Sequence, residues 1–251
     1  MKSSILFSVL LSSGALAAPA SQSDSLISGR QSNFLSLVEI FFPVGVSLDN
    51  SSEGAAMSTA GNALAKAAGI TTTQGDVGTG ACSDMTVIFA RGTTEPGTVG
   101  TLAGPPFFDA IKAKLGGSAT LAVQGVDYPA DVPGFLAGGD KAGSQTMAND
   151  VTAALAACPD TKLVMAGYSQ GGQLVHNAAK LLPAATMAKV NSAVIFGDPD
   201  NGQPITGLSA AQTKVICHAG DNICQHGDLI LLPHLTYSQD ANTAAAFVVA
   251  A

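Results

Sequence analysis

The chain has 251 residues, of which 47% are hydrophobic and only 12% charged, so it can bury a sizeable core and is not a disordered chain. Lys and Arg total 11 against 18 Asp and Glu, a net charge of -7, which argues against nucleic acid or an anionic membrane as partner. Trp is absent and aromatics make up 5%, which weakens any function built on flat aromatic platforms for sugars or bases. At the N-terminus, Met1-Lys2, the apolar stretch Ile5 to Leu11 and Ala15-Leu16-Ala17 read as a secretory signal peptide over 1–17. Residues 18–30 follow as a propeptide candidate ending at Arg30, and no later run is long enough to span a membrane. The expectation is a secreted, extracellular protein.

The 31–80 stretch is a less defined N-terminal extension. Phe34 to Val46 is largely apolar, Asn50-Ser51-Ser52 is a glycosylation acceptor sequence, and Gly54 to Ala68 reads as an Ala-rich helix. From residue 81 strands and helices alternate. Strands are expected at Met85–Ala90, Ala119–Val126, Thr161–Ala166, Val190–Phe196 and Thr213–His218. Helices are expected at Pro105–Leu115, Ser144–Ala157, Gln170–Leu182 and Ala241–Ala251. This order predicts an α/β fold, a mostly parallel central sheet with helices on both faces, in one domain over 81–251.

Secretion gives the four cysteines a meaning. Cys82, Cys158, Cys217 and Cys224 should form two disulfides, with three pairings open. Their spacing matches no zinc pattern, despite His218, His226 and His234 nearby, so neither metal nor cofactor is expected.

Gly167-Tyr168-Ser169-Gln170-Gly171 is a G-x-S-x-G motif between an expected strand and an expected helix. There a serine sits on a tight turn, with its hydroxyl raised above the sheet at a helix N-terminus. A nucleophilic Ser169 needs a histidine base and an orienting acid, and in this motif's usual order both follow the serine. His176 falls within the helix after the turn and should point away, His218 precedes the expected acid, and His226 reads as a solvated loop residue. His234, after the apolar run Leu229–Pro233 and before the last helix, is the expected base. Among Asp198, Asp228 and Asp221, the last is preferred, because a Cys217–Cys224 bridge would pin its loop.

Taken together, Gly167-Tyr168-Ser169-Gln170-Gly171-Gly172, the Cys217-xxx-Asp221-xx-Cys224 loop and Pro233-His234-Leu235 resemble the fungal cutinases. Phe89-Ala90-Arg91-Gly92-Thr93-Thr94-Glu95-Pro96-Gly97 resembles that family's oxyanion loop, and the similarity covers about residues 80–250. The resemblance implies a small α/β-hydrolase with Ser169, His234 and Asp221 as triad, and an oxyanion hole from the N–H groups of Thr93 and Gln170 with the Thr93 hydroxyl assisting. It also implies the pairs Cys82–Cys158 and Cys217–Cys224. The implied activity is a monomeric serine esterase acting on cutin and on short-to-medium acyl esters. A sibling secreted carbohydrate esterase, such as an acetylxylan esterase, is the alternative, and an inactive surface protein is disfavoured by the intact Ser, Asp and His set. Thr93 stands where many members carry Ser. No insertion large enough for a lid is apparent, so the cleft is expected to be open.

Overall fold

The computed structural model describes residues 33–48, 51–117 and 119–251. The expected signal peptide, the propeptide candidate and Asn50 lie outside the described residues. Five strands, β2 (Met85–Ala90), β3 (Leu121–Gly125), β4 (Lys162–Tyr168), β5 (Val190–Phe196) and β6 (Thr213–Ile216), form one parallel sheet in the order β3-β2-β4-β5-β6. All six residues of β2 are buried, as a strand covered on both faces requires. The expected strand 119–126 shrinks to Leu121–Gly125 and 213–218 to Thr213–Ile216, because the flanking residues leave the ladder to build turns.

The chain steps from β2 outward to β3, then returns past β2 to β4. With right-handed crossovers, these opposite steps put their helices on opposite faces. On one face α3 (Gly104–Leu115) packs with α8 (Ala241–Ala250), joining Phe107, Phe108, Ala244 and Val248 to Phe89 and Phe196. On the other, α5 (Lys141–Ala157) packs with α6 (Gln170–Leu181), joining Met147, Val151, Leu174 and Val175 to Ile88 and Met165. A short α4 (Val132–Leu136), capped by Asp131 accepting from Gly134 N at 2.8 Å, precedes α5, and α7 (Ala184–Met187) precedes β5. The step reverses between β2 and β4, so their C-terminal ends, Ala90 beside Gly167, flank the crevice where open parallel sheets place ligands.

Two disulfides join Cys82 to Cys158 and Cys217 to Cys224. The first ties the entry to β2 to the end of α5 across 76 residues, and the second closes a turn of 7.

The N-terminal extension is folded onto this body. Helix α1 spans 33–41, β1 (Val46–Ser47) pairs antiparallel with β7 (Leu229–Ile230), and α2 runs from Ser51 to Ala68. Helix α2 buries Gly54, Met57, Ala60, Gly61 and Leu64, a single stripe at helical spacing. It stops at Gly69, whose positive φ of 64° lets Ile70 N bond back to Ala65 O at 2.9 Å. Residues 72–76 then cover the free edge of β3, with Asp76 N on Val123 O at 3.0 Å and Gly125 N on Gln74 O at 3.0 Å.

Candidate active site

Ser169 caps α6 immediately after β4, with φ 54° and ψ −121°, a strained conformation for a residue carrying a Cβ. Its flanking glycines make this turn sterically feasible: a Cβ on Gly167 would lie 2.2 Å from Gly171 O, and one on Gly171 would lie 1.9 Å from Ala90 O. Ser169 N donates to Phe196 O at 2.9 Å, which ties the turn to β5. The serine is 3% exposed.

His234 comes from the 3-10 segment Leu232–Leu235, and Asp221 from the turn closed by Cys217–Cys224. Both are essentially inaccessible to solvent, and His234 Nδ1 lies 2.8 Å from Asp221 Oδ2. A carboxylate only accepts, so the hydrogen sits on Nδ1, leaving Nε2 with its lone pair. Nε2 is buried with no hydrogen-bond partner, Ser169 Oγ included, although both residues line the same cavity. Desolvation pushes the Asp221 carboxyl up, but the hydrogen bond and charge of His234, the Tyr237 hydroxyl and the Ile223 N–H outweigh it and hold the group below its ordinary value. Tyr168 donates to His234 O at 2.9 Å and stacks on the imidazole at 5.1 Å.

On the opposite side stands the 91–102 loop. Thr93 Oγ1 accepts from Gln170 Nε2 at 2.9 Å, and the same Nε2 also donates to Asp131 O at 2.8 Å. One amide hydrogen thus occupies a lone pair of the threonine hydroxyl, which keeps its own hydrogen to donate. The loop is shaped from within by two buried charged side chains, Glu95 and Arg91. Glu95 Oε2 accepts from Gly92 N at 2.8 Å, while Oε1 accepts from Thr101 N and Leu102 N at 2.9 Å each. Arg91 donates to Glu95 O and to Tyr128 O, both at 2.7 Å, and lies over the Tyr128 ring. Burial raises the Glu95 carboxyl above its ordinary value despite these donors and Arg91.

The other sequence candidates go elsewhere. His176 and Asp198 pair with each other at 3.0 Å, both buried, so this acid serves a different histidine. His226 bonds Pro199 O at 2.7 Å, and His218 meets Asp240 at 2.6 Å. Asp228 contributes a backbone carbonyl, which accepts from Leu48 N at 3.0 Å. Of the apolar residues flanking the histidine, Ile230 lines the cavity and Leu235 is fully buried, while Leu232 is 38% exposed. Sequence reasoning missed Tyr168, Tyr237, Glu95 and the Gln170 side chain as supports. Only Glu95 left a signal, a carboxylate four residues after Arg91 in a chain with only 12% charged residues.

The open cleft expected from the sequence is not what the structure has. The cavity over Ser169 measures about 20 Å³, room for roughly one water, and is roofed by Phe42, Leu48 and Met57. The extension spans the site from both banks. Helix α2 lies on the 91–102 loop, where a Cβ on Gly61 would reach Pro96 Cδ at 3.0 Å and one on Gly54 would reach Thr94 Cγ2 at 3.7 Å. Strand β1 lies on the histidine side, with Val46 opposite Ile230. The sequence concealed this cover because it is not an insertion beside the triad but a segment some hundred residues upstream of Ser169. Among the described residues no group of three His, Cys, Asp or Glu is arranged to hold a metal ion, and no helix is long and apolar enough to cross a membrane.

The family model Cutinase matches residues 81–251. A cutinase of Botryotinia fuckeliana is 70% identical over 174 residues, covering 69% of this chain and 86% of the relative. A cutinase of Hypocrea jecorina is 48% identical over 252 residues, 99% of this chain and 98% of the relative, so that match runs through the N-terminal extension. Among solved structures, Trichoderma reesei cutinase in complex with a C11Y4 phosphonate inhibitor aligns with a TM-score of 0.75 at 49% identity, covering 88% of this chain and 98% of that one.

Proposed function

This chain belongs to the cutinase family, and we propose that it is a secreted serine esterase that hydrolyses cutin and short-to-medium acyl esters. The observation that carries the reading is the buried His234–Asp221 pair, whose unpartnered Nε2 shares a cavity with a strained Ser169. In this mechanism Ser169 Oγ turns toward Nε2, loses its proton to it and attacks the ester carbonyl. Backbone N–H groups of Thr93 and Gln170 hold the oxyanion, and the Thr93 hydroxyl, oriented by Gln170 Nε2, adds a third donor. Each such donor is worth about 3–4 kcal/mol in the transition state. The His234 proton passes to the departing alcohol, and a water activated by the same nitrogen releases the acid. Every group needed comes from one chain, which supports action as a monomer.

A cavity for one water admits no acyl chain, so substrate entry requires the 33–68 cover to move. It leaves Ile40 at 72% and Val44 at 55% exposed. An insoluble polyester offers these side chains an apolar surface in place of water, and contact with it favours displacement of the cover.

The test is hydrolysis of p-nitrophenyl acetate, butyrate and palmitate, with monomer release from cutin, beside a Ser169→Ala variant. Cutin breakdown and a preference for short-to-medium chains, both absent from Ser169→Ala, are expected. Acetate-only activity without cutin release would move the assignment to a carbohydrate esterase, and activity surviving in Ser169→Ala would refute the site.

A further inference from the structure

The carboxylate of Asp221 receives two hydrogens on one oxygen. His234 Nδ1 reaches Oδ2 at 2.8 Å and the Tyr237 hydroxyl reaches the same Oδ2 at 2.5 Å, while Ile223 N takes Oδ1 at 3.0 Å. The direction of the tyrosine bond is settled by a third contact. His218 N donates to Tyr237 Oη at 3.1 Å, so the oxygen is already an acceptor there and its single hydrogen goes to the carboxylate. The Cys224 sulfur lies 3.6 Å from both Asp221 Oδ2 and Tyr237 Oη, but as half of a disulfide it has no hydrogen to donate.

The ring is held as firmly as the hydroxyl. Tyr237 is 0% exposed and lies edge-on to the His234 imidazole, with centroids 6.0 Å apart. His218 stacks on it at 4.2 Å and is itself fixed at both nitrogens, Nε2 to Asp240 at 2.6 Å and Nδ1 to Pro233 O at 2.8 Å, next to the proposed base. The titratable groups facing Tyr237 are therefore Asp221 and His234, His218 beyond the end of β6, Asp240 ahead of α8, and Tyr168 at the end of β4.

We propose that Tyr237 is a positioning residue that sets the basicity of His234 by sharing the Asp221 oxygen. This rests on the triad reading above. A carboxylate oxygen that spends part of its charge on a phenol has less to offer an imidazolium, so the tyrosine keeps His234 deprotonated, and competent as a base, to lower pH. Burial raises the phenol well above its ordinary value, which keeps it a neutral donor throughout the working range.

The experiment follows the His234 ring by NMR across pH in the parent and in Tyr237→Phe, with the resonance assigned by its loss in His234→Gln. The ring titration is expected to move up by about half to one pH unit in Tyr237→Phe, a fraction of what one hydrogen bond to a charged group is worth, because the bond acts on the ring only through the carboxylate. The acidic limb of kcat/KM for p-nitrophenyl butyrate should move with it, and kcat should fall about 3- to 10-fold. Replacing Tyr237 by 3-fluorotyrosine, a stronger donor that keeps the ring, should move the titration down. In an Asp221→Asn background the Phe substitution should leave it unmoved. A Tyr237→Phe protein that melts like the parent and titrates at the parent's pH overturns the proposal, as does a fluorotyrosine protein with no downward shift if the Phe variant does not fold. A parent without Ser169-dependent hydrolysis would sink the esterase reading instead, with the titration still deciding the role of Tyr237.

Discussion

The catalytic bank and the cover are built by different physics. The bank rests on strands paired on both sides, Ala166 between Phe89 and Val194, on an elbow with no room for a Cβ at Gly167 or Gly171, and on a disulfide beside the acid. The cover is attached by a two-residue strand, a stripe of small residues on the 91–102 loop and apolar side chains set into one face of the core, among them Val38, Phe42, Leu48, Met57 and Leu64. Fixing reacting groups needs over-determined contacts, whereas admitting a substrate needs contacts that open at small cost. The contrast predicts that substitutions in the bank change chemistry, and that substitutions in the cover change access.

The largest effect belongs to Ser169, the proposed nucleophile. Ser169→Ala should lower kcat about 10⁶-fold, as in other serine hydrolases, without lowering the melting temperature, because Ala keeps the Cβ and leaves the backbone strain at φ 54° unchanged. Esterase assays and thermal melts on one preparation check both halves. The two disulfides divide the same way. Replacing Cys82 and Cys158 by Ser opens a loop of 76 residues and should cost about 4 kcal/mol of stability while leaving activity at room temperature near the parent's. Replacing Cys217 and Cys224 should cost less stability, about 2.5 kcal/mol, yet lower kcat about tenfold by freeing Asp221. Equal activity losses in the two variants would break the distinction.

The cover is tested at Gly61. A Val there must push Pro96 away, since even its Cβ would sit 3.0 Å from Pro96 Cδ. Lifting α2 by about 1 kcal/mol raises the open fraction about fivefold if the closed form dominates. Gly61→Val should therefore raise kcat/KM for p-nitrophenyl butyrate about 2- to 5-fold with the pH profile unchanged. A Gly61→Val protein that is less stable but no faster would mean that the cover does not limit entry.

The sequence made this bank legible and hid the cover, for reasons visible in particular residues. Short, largely apolar runs such as Met85–Ala90 and Val190–Phe196 announce strands covered on both faces, and those two match the structure residue for residue. Ser169 is legible because its turn demands glycines at fixed spacing, and His234 because it follows an apolar run at the right place in the chain. The pairing of Val46 with Ile230, by contrast, joins segments 184 positions apart, and nothing local marks either as a partner. Tyr237 and the Gln170 amide were equally silent. Their roles depend on which lone pair is free in three dimensions, and a tyrosine near a chain terminus reads as core.

The smallest effect serves as a control for both halves of the comparison. Asp150 on α5 lies away from the site, half-buried, with Oδ2 unpartnered. Burial, with the charge of Asp127 added, pushes its carboxyl up to about 6. The folded state therefore binds this proton more tightly than the unfolded chain, so its contribution to stability is full below the ordinary carboxylate range near 4. That contribution is lost as pH rises toward 6. Asp150→Asn removes the charge and should stabilise the protein at pH 7 by about 1 kcal/mol once solvent screening is allowed for, with little change at pH 4. The gain at pH 7 corresponds to a few degrees in melting temperature. Neither kcat nor the response to Gly61→Val should move, because α5 packs into the core on the other face of the sheet, with α6, and the cover packs into the core with α3 and α8. A change in kcat in Asp150→Asn would mean that stability alone alters the chemistry, and the separation of bank from cover would then need to be redrawn.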